Sequence, residues 1–229
     1  MYSPMHRAFD DPDAVAHYAD GPRRIVPGYH ALHAMTAVLL AERAPTDGRV
    51  LILGAGGGLE TAALAEANPR WRFDGVDPSA EMLALAEHTL GPHLDRTRLH
   101  HGVIDDAPDG PFDAAVCLLT LHFLGTDERR RTVEQVRLRL RPGAPFVVAH
   151  MSIPGEDDAA RETWLSRYAA FAIASGVNPA VMADARTAIE AQVYTLTPGQ
   201  DRAVLEDAGF TDVTEFYSAF TFRGWVGYA

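Results

Sequence analysis

A chain of 229 residues, 47% hydrophobic and 22% charged, has the length and composition of one soluble globular domain with a sizeable core. Its 20 basic against 31 acidic residues leave a formal net charge of −11, which argues against a dominant nucleic-acid-binding surface and makes a small-molecule substrate the default partner. Apolar runs such as 34–41 and 114–121 fall far short of the ~20 residues that span a bilayer, the N-terminus lacks the basic start and apolar stretch of a signal peptide, and a single cysteine, Cys117, excludes an intramolecular disulfide, all of which points to a reducing, cytoplasmic setting.

The chain opens on a helical preface over residues 13–43, interrupted at Gly21-Pro22 and at Pro27-Gly28. From residue 50, short apolar runs alternate with helical patterns, as in βαβ units around a mostly parallel sheet. Residues 50–53 predict a strand, 60–67 a helix that Asn68-Pro69 stops, and 71–76 a second strand. Ser79 is placed as the N-cap of a helix that carries Glu81 in its first turn, Met82, Leu83, Leu85, Ala86 and Leu90 at core spacing, and Gly91-Pro92 as its stop. A third strand covers 98–103; a fourth, 112–119, is the continuous apolar run of a strand buried on both faces. Thr126 or Asp127 then caps a helix whose Val133, Val136, Leu138 and Leu140 read as core, while the runs Arg129-Arg130-Arg131 and 137–141 read as its solvated face. Residues 145–151 form a fifth strand, 155–194 two or three inserted helices, 200–208 the last helix, and 213–217 with 219–228 an antiparallel pair. Neither an internal repeat nor a linker interrupts this order.

The stretch LILGAGGGLET, residues 51–61, puts Gly54-x-Gly56-x-Gly58 between a strand and a helix, where the backbone can approach a ligand with no Cβ in the way. A dinucleotide fingerprint requires its third glycine at position 59; Leu59 stands there, so a nicotinamide oxidoreductase is the weaker reading. Asp77 closes the second strand 19 residues beyond Gly58, where a carboxylate can accept charge-assisted hydrogen bonds from ribose hydroxyls. Asp105 and Asp106 follow the third strand, where a side chain can meet an adenine amino group.

Over about residues 48–150, the glycine loop, Asp77, Asp105-Asp106, the strand FDAAVCLLTLHFL and LRPGAPFVVAHM resemble, in order and spacing, the class I S-adenosylmethionine-dependent methyltransferases. The resemblance implies an α/β, Rossmann-like fold: a seven-stranded, mostly parallel sheet with an antiparallel C-terminal strand pair, a helical N-terminal extension and a helical insertion before the last helix. It divides a single domain, 1–229, into a helical cap (1–47), a cofactor-binding core (48–152), a helical insertion (153–197) and a C-terminal helix with its strand pair (198–229). A narrower similarity, nearly end to end, is to carboxy-S-adenosylmethionine synthases, carried by RRIVPGYHALHAM, LLAERAP, TLHFL, LEDAGF and FYSAFTFRGWVGY. Those enzymes convert S-adenosylmethionine and prephenate into a carboxylated sulfonium used in tRNA wobble-uridine modification. The similarity implies S-adenosyl-L-methionine as cofactor, with Tyr29 contacting it from the N-terminal helix and Gly54, Ala55, Gly56 and Gly58 from the loop. It further implies Asp77 and Pro78 at ribose and adenine, Asp105 and Asp106 at the base, and Leu118 at the end of the fourth strand.

Three positions depart from those patterns. Leu118 replaces an asparagine, Val204 an arginine that pairs with the extra carboxylate, and Ile52 the acid with which most methyltransferases orient the cofactor's ammonium group. Neither Leu118 nor Val204 can do the polar job, since a guanidinium fork binds carboxylate through paired charged hydrogen bonds. The leading expectation is therefore an S-adenosylmethionine-dependent methyltransferase acting on an unidentified small molecule by in-line transfer; the alternatives are a carboxy-S-adenosylmethionine synthase and a non-catalytic S-adenosylmethionine-binding protein. With Ile52 apolar, loop carbonyls or Glu60 are left to hold the cofactor's amino end. His122 and His150 are the candidate catalytic bases at the carboxyl edge of the sheet, each equally readable as structural. Arg24, Tyr29, His30, Trp164, Tyr168 and Phe171 could cover the pocket, with core packing as the competing reading of the aromatics. His100-His101 has no partner pattern for a metal, so no metal site is expected. Neither nucleic acid nor membrane is expected as a direct partner, and a homodimer is left open.

Overall fold

The computed structural model describes residues 21–155 and 157–229, so positions 13–20 of the expected preface lie outside the described residues. Five parallel strands, β1 (Arg49–Leu53), β2 (Arg72–Asp77), β3 (Thr97–His101), β4 (Ala114–Leu118) and β5 (Pro145–Met151), stand in the order β3-β2-β1-β4-β5. The sheet then continues with β7 (Phe222–Tyr228), antiparallel to β5, and β6 (Thr211–Ala219), antiparallel to β7. Every residue of β4 and β5 is buried, which is why those strands read as unbroken apolar runs rather than alternating ones.

The helices are α1 (Gly21–Ile25), α2 (Tyr29–Ala41), α3 (Leu59–Ala67), α4 (Ala80–Leu90), α5 (Thr126–Leu138), α6 (Asp158–Ala174), α7 (Pro179–Gln192) and α8 (Pro198–Asp207). One face of the sheet, with Val50, Ile52 and Val116, packs on Leu32 and Leu40 of α2, Leu64 of α3, Leu165 of α6 and Ile189 of α7. The opposite face, with Leu51, Leu53 and Cys117, packs on Val133 and Val136 of α5 and Val204 and Leu205 of α8. The 155–194 stretch thus resolves into two helices. Among the described residues, no helix is long and apolar enough to cross a membrane.

Local chemistry explains the ends. Ser79 caps α4, its hydroxyl accepting from Met82 N at 3.1 Å. At α5 the N-cap is Gly125 rather than Thr126 or Asp127, and Asp127 and Glu128 fall in the first turn, where carboxylates complement the helix dipole. Leu138 is 72% exposed rather than in the core, and Leu140 lies past the helix end, bridged to Phe112. Arg129, assigned by its sequence neighbours to a solvated face, is fully buried.

The chain's path positions the site. β1 has β2 on one side and β4 on the other, so the segments leaving their carboxyl ends diverge and open a crevice at the switch in strand order.

Candidate functional site

That crevice is a cavity of about 370 Å³, within the ~300–1,000 Å³ typical of small-molecule pockets. Gly54 and Gly56 line it from the loop after β1; Asp77, Pro78 and Ser79 from the end of β2; Leu118, Leu119 and Thr120 from the end of β4. His122, Phe123 and Met151 close the side. The roof comes from remote segments: Pro22, Ile25 and Val26 in and just after α1, Tyr168 of α6, Ile189 and Val193 in and just after α7, and Phe222 of β7. Among the described lining residues, no lysine or arginine appears, and Asp77 is the one carboxylate.

Asp77 is fixed from two directions. Its Oδ2 accepts from Gly56 N at 2.8 Å and its Oδ1 from Ser79 N at 3.0 Å, so the carboxylate locks the glycine loop to the start of α4. Each carboxylate oxygen can accept more than one hydrogen bond, so a ribose diol can still be received. Gly54 has φ +75°, and a Cβ there would collide with Thr120 Oγ1; only glycine lets loop and β4 end meet. Gly58, φ +80°, serves α3–α4 packing instead, since a Cβ there would lie 3.0 Å from Ala86 Cα, and it does not line the cavity. Leu119, just past β4, is held at φ 58°, a left-handed conformation costly for a branched residue and typical of functional turns.

His122 is buried, and its Nδ1 accepts from Met151 N at 3.1 Å. A nitrogen accepting a backbone N–H carries no proton, so the neutral ring bears its proton on Nε2. Burial, followed by the charges of His150 and Arg129, pushes its pKa well below the ordinary value. The ring therefore presents an N–H donor rather than a base.

The remaining sequence candidates stand elsewhere. Tyr29 is buried at the start of α2 with its ring 4.4 Å from that of His33, and Ala55 is packed in the core; neither lines the cavity. Asp105 is half-exposed and takes both its oxygens to Arg131 NH1 at 2.9 Å. Asp106 Oδ2 accepts from Val103 N at 2.8 Å. Both lie outside the lining. Arg24 and His30 are exposed, and of the aromatics in α6 Tyr168 alone reaches the cavity. Trp164 instead sits under Arg167, 4.5 Å from guanidinium to ring centre, and the Phe171 ring lies 6.0 Å from that of Phe220. His100 Nε2 meets Asp74 Oδ1 and His101 Nε2 meets Pro78 O, each at 2.9 Å. Among the described residues no group of three His, Cys, Asp or Glu side chains converges as a metal site would require. Val204 is buried in the opposite-face core and does not line this cavity. Leu118 does line it.

Behind His122 lies a buried ionic cluster. Arg129 NH1 donates to Asp201 Oδ1 at 2.7 Å, and its NH2 reaches the carbonyls of Leu124 and Tyr194. His150 Nε2 lies 2.9 Å from the same Asp201 oxygen, its ring against Trp225; it is part of this cluster and not of the cavity wall. Burial alone would raise the Asp201 carboxyl, but His150 and Arg129 beside it bring it below its ordinary value. Tyr194 N donates to His122 O at 2.9 Å, so the cluster fixes the turn that carries His122.

These residues fit a sulfonium nucleoside: a carboxylate for the ribose, a Cβ-free loop for close backbone approach, and apolar walls. Residues 51–146 match the methyltransferase domain family. Carboxy-S-adenosyl-L-methionine synthase of Chromohalobacter salexigens is 31% identical over 224 residues, covering 95% of this chain and 82% of that protein. An O-methyltransferase family protein from Burkholderia thailandensis superposes with a TM-score of 0.69 at 16% identity, covering 99% of this chain and 63% of that one. Human N-acetylserotonin methyltransferase in complex with S-adenosylmethionine superposes with a TM-score of 0.65 at 15% identity, over 96% and 57%. The chain spans less than two thirds of either solved structure, and at these identities the likeness is one of fold.

Proposed function

Since the chain belongs to the carboxy-S-adenosyl-L-methionine synthase family, within the class I S-adenosylmethionine-dependent methyltransferases, and takes S-adenosyl-L-methionine as its cofactor, we propose that it transfers the cofactor's methyl group to a small, largely apolar acceptor. The observation that carries this reading is the cavity wall: apolar almost throughout, with no arginine or lysine among its described residues to receive a carboxylate. S-adenosyl-L-methionine brings an activated methyl group on sulfur, so no protein nucleophile is required. The chain's residues then act in three ways. Asp77 receives the ribose hydroxyls while holding the loop through Gly56 N. Gly54 and Gly56 face the cavity with backbone alone. Phe123, Met151, Tyr168 and Phe222 exclude water and hold the acceptor in line.

His122 acts as a donor that orients the acceptor, not as a general base. The test is His122→Gln, which keeps an N–H donor. Methyl transfer within about five-fold of wild type is expected, whereas loss of a general base costs ~10²–10⁴-fold; a loss in that range would restore the base reading. Tyr168 offers no base either, because burial pushes its phenol up to about 12.

A second reading, carboxy-S-adenosylmethionine synthesis, is favoured by relatives that match 95% of the chain. Mass spectrometry separates the two. Purified protein is incubated with S-adenosyl-L-methionine and a panel of small aromatic and aliphatic acceptors, or with S-adenosyl-L-methionine and prephenate. Acceptor-dependent formation of S-adenosylhomocysteine with a methylated acceptor supports methyl transfer; a nucleotide heavier by a carboxylate supports the synthase. Tight binding with neither product would leave a non-catalytic binder and sink both enzymatic readings.

A further inference from the structure

Besides Asp77, two side chains of the cavity wall carry a polar atom that no other part of the described chain engages. Tyr168 of α6 lines the cavity and is 4% exposed, its ring edge-on to that of Phe222 at 6.0 Å. Among the described residues its hydroxyl has no hydrogen-bond partner. Nor is it sealed in protein, as the unpartnered hydroxyls of Thr36, Thr61 and Thr221 are; the open space that Tyr168 borders is the cavity. His122, 5% exposed, is the second. Its Nδ1 is taken by Met151 N, so the free corner of the ring is Nε2–H, which is not sealed either.

Both groups are uncharged donors at neutral pH. Burial pushes the Tyr168 phenol up to about 12, and the His122 ring is held neutral as described above. The neighbouring polar atoms do not use them: Thr120 Oγ1 donates to Leu118 O at 3.0 Å, and the Asp77 oxygens receive Gly56 N and Ser79 N. A polar group withdrawn from water without a partner costs stability, and phenylalanine would pack at position 168 without that cost. A ligand oxygen supplies what both donors lack, whereas an ammonium group, itself a donor only, has nothing to offer an N–H.

We propose that the methyl acceptor carries an oxygen, as a hydroxyl or carbonyl on an apolar body, anchored by hydrogen bonds from the Tyr168 hydroxyl and His122 Nε2–H, which makes Tyr168 a specificity-determining residue. The proposal deepens the methyl-transfer reading and rests on it.

Tyr168→Phe on the full chain tests it through two readouts. Without ligand, the thermal midpoint of the variant is expected to equal or exceed that of wild type, since the hydroxyl does nothing for the fold. With saturating S-adenosylhomocysteine, equilibrium dialysis compares thymol with para-cymene, its analogue without the hydroxyl. Wild type is expected to prefer thymol by about ten-fold, and Tyr168→Phe to lose roughly three-fold or more of that preference with para-cymene binding unchanged. A lowered midpoint, a wild-type preference near one, a preference unchanged in the variant, or binding of neither probe would overturn the proposal. Oxygen-dependent binding with no methylated product from any acceptor would instead remove the methyl-transfer reading and leave Tyr168 as the anchor of a bound oxygen compound. Failure to bind S-adenosylhomocysteine would remove the cofactor assignment, and the proposal with it.

Discussion

Burial lowers the pKa of two histidines, His33 and His122, and the partners of each then set what it can do. His33, on α2 and 7% exposed, has its pKa lowered to about 4 by burial, then by the nearby charges of His30 and Arg23. The unfolded chain takes a proton at this site near the ordinary histidine value and the folded one does not. Between about pH 6.5 and 4 the unfolded state therefore binds more protons, and stability falls as pH falls. The 2.5-unit gap corresponds to about 3 kcal/mol at the acid end of that window. His122, also lowered by burial, adds to the slope with the same sign. Denaturant unfolding of wild type and His33→Leu at pH 7, 5.5 and 4 checks this. The variant is expected to lose about 3 kcal/mol of the pH dependence and to keep the remainder; parallel curves would show that His33 is protonated in the folded state.

At the scale of elements, the joint most exposed to a single change is where α5, α8 and the segment after α7 meet through Arg129 and Asp201, whose side chains are 1% and 0% exposed. Removing one partner of such a pair strands the other, at about 3–5 kcal/mol, whereas replacing both with apolar residues can be neutral. Arg129→Met, which leaves His150 as the partner of Asp201, is thus expected to lose stability toward the low end of that range in chemical denaturation, and Arg129→Met/Asp201→Leu to regain part of it, since His150 and the Leu124 and Tyr194 carbonyls lose their partners; equal losses would mean that the pair itself, not its imbalance, holds the joint. This joint is also where sequence reading ends. Arg129 belongs to a run of three arginines and its partner is 72 residues away, so neither composition nor periodicity carries the pairing. The parallel strands are legible, β5 to the residue, because burial on both faces forbids polar interruption. Leu138 is apolar yet exposed, and helical spacing alone could not tell that it faces water. In the cavity, Gly54, Gly56, Asp77, Pro78, Leu118 and His122 are legible because they follow strand ends at fixed offsets. Ile25, Met151, Ile189 and Phe222 are not, since they arrive from elements whose relative placement only packing decides. Met82 and Thr120 lie inside the legible stretches SAEML and TLHFL, and their positions just past Asp77 and β4 are a signal that could have included them.

Across the whole molecule, the cavity joins parts held by different forces. Its floor is the carboxyl edge of a sheet whose central strands are buried on both faces. Its roof is made of segments far apart in sequence, α1 near residue 22 and the end of α7 near residue 193, which close over the floor from separate places in the chain. Amides of central strands open with free energies near that of global unfolding, while peripheral helices open locally at lower cost. A ligand that touches both floor and roof couples them, and at 100 times its Kd adds about 2.7 kcal/mol to the cost of any opening that releases it. Hydrogen exchange with and without S-adenosylhomocysteine is therefore expected to show the largest added protection around Ile25–Val26 and Ile189–Val193 and in the Gly54–Gly58 loop. The amides of β4 and β5 should shift only as far as global stability does. Protection confined to the loop, with α1 and α7 unchanged, would mean that the nucleoside rests on the floor alone and that the roof belongs to the acceptor.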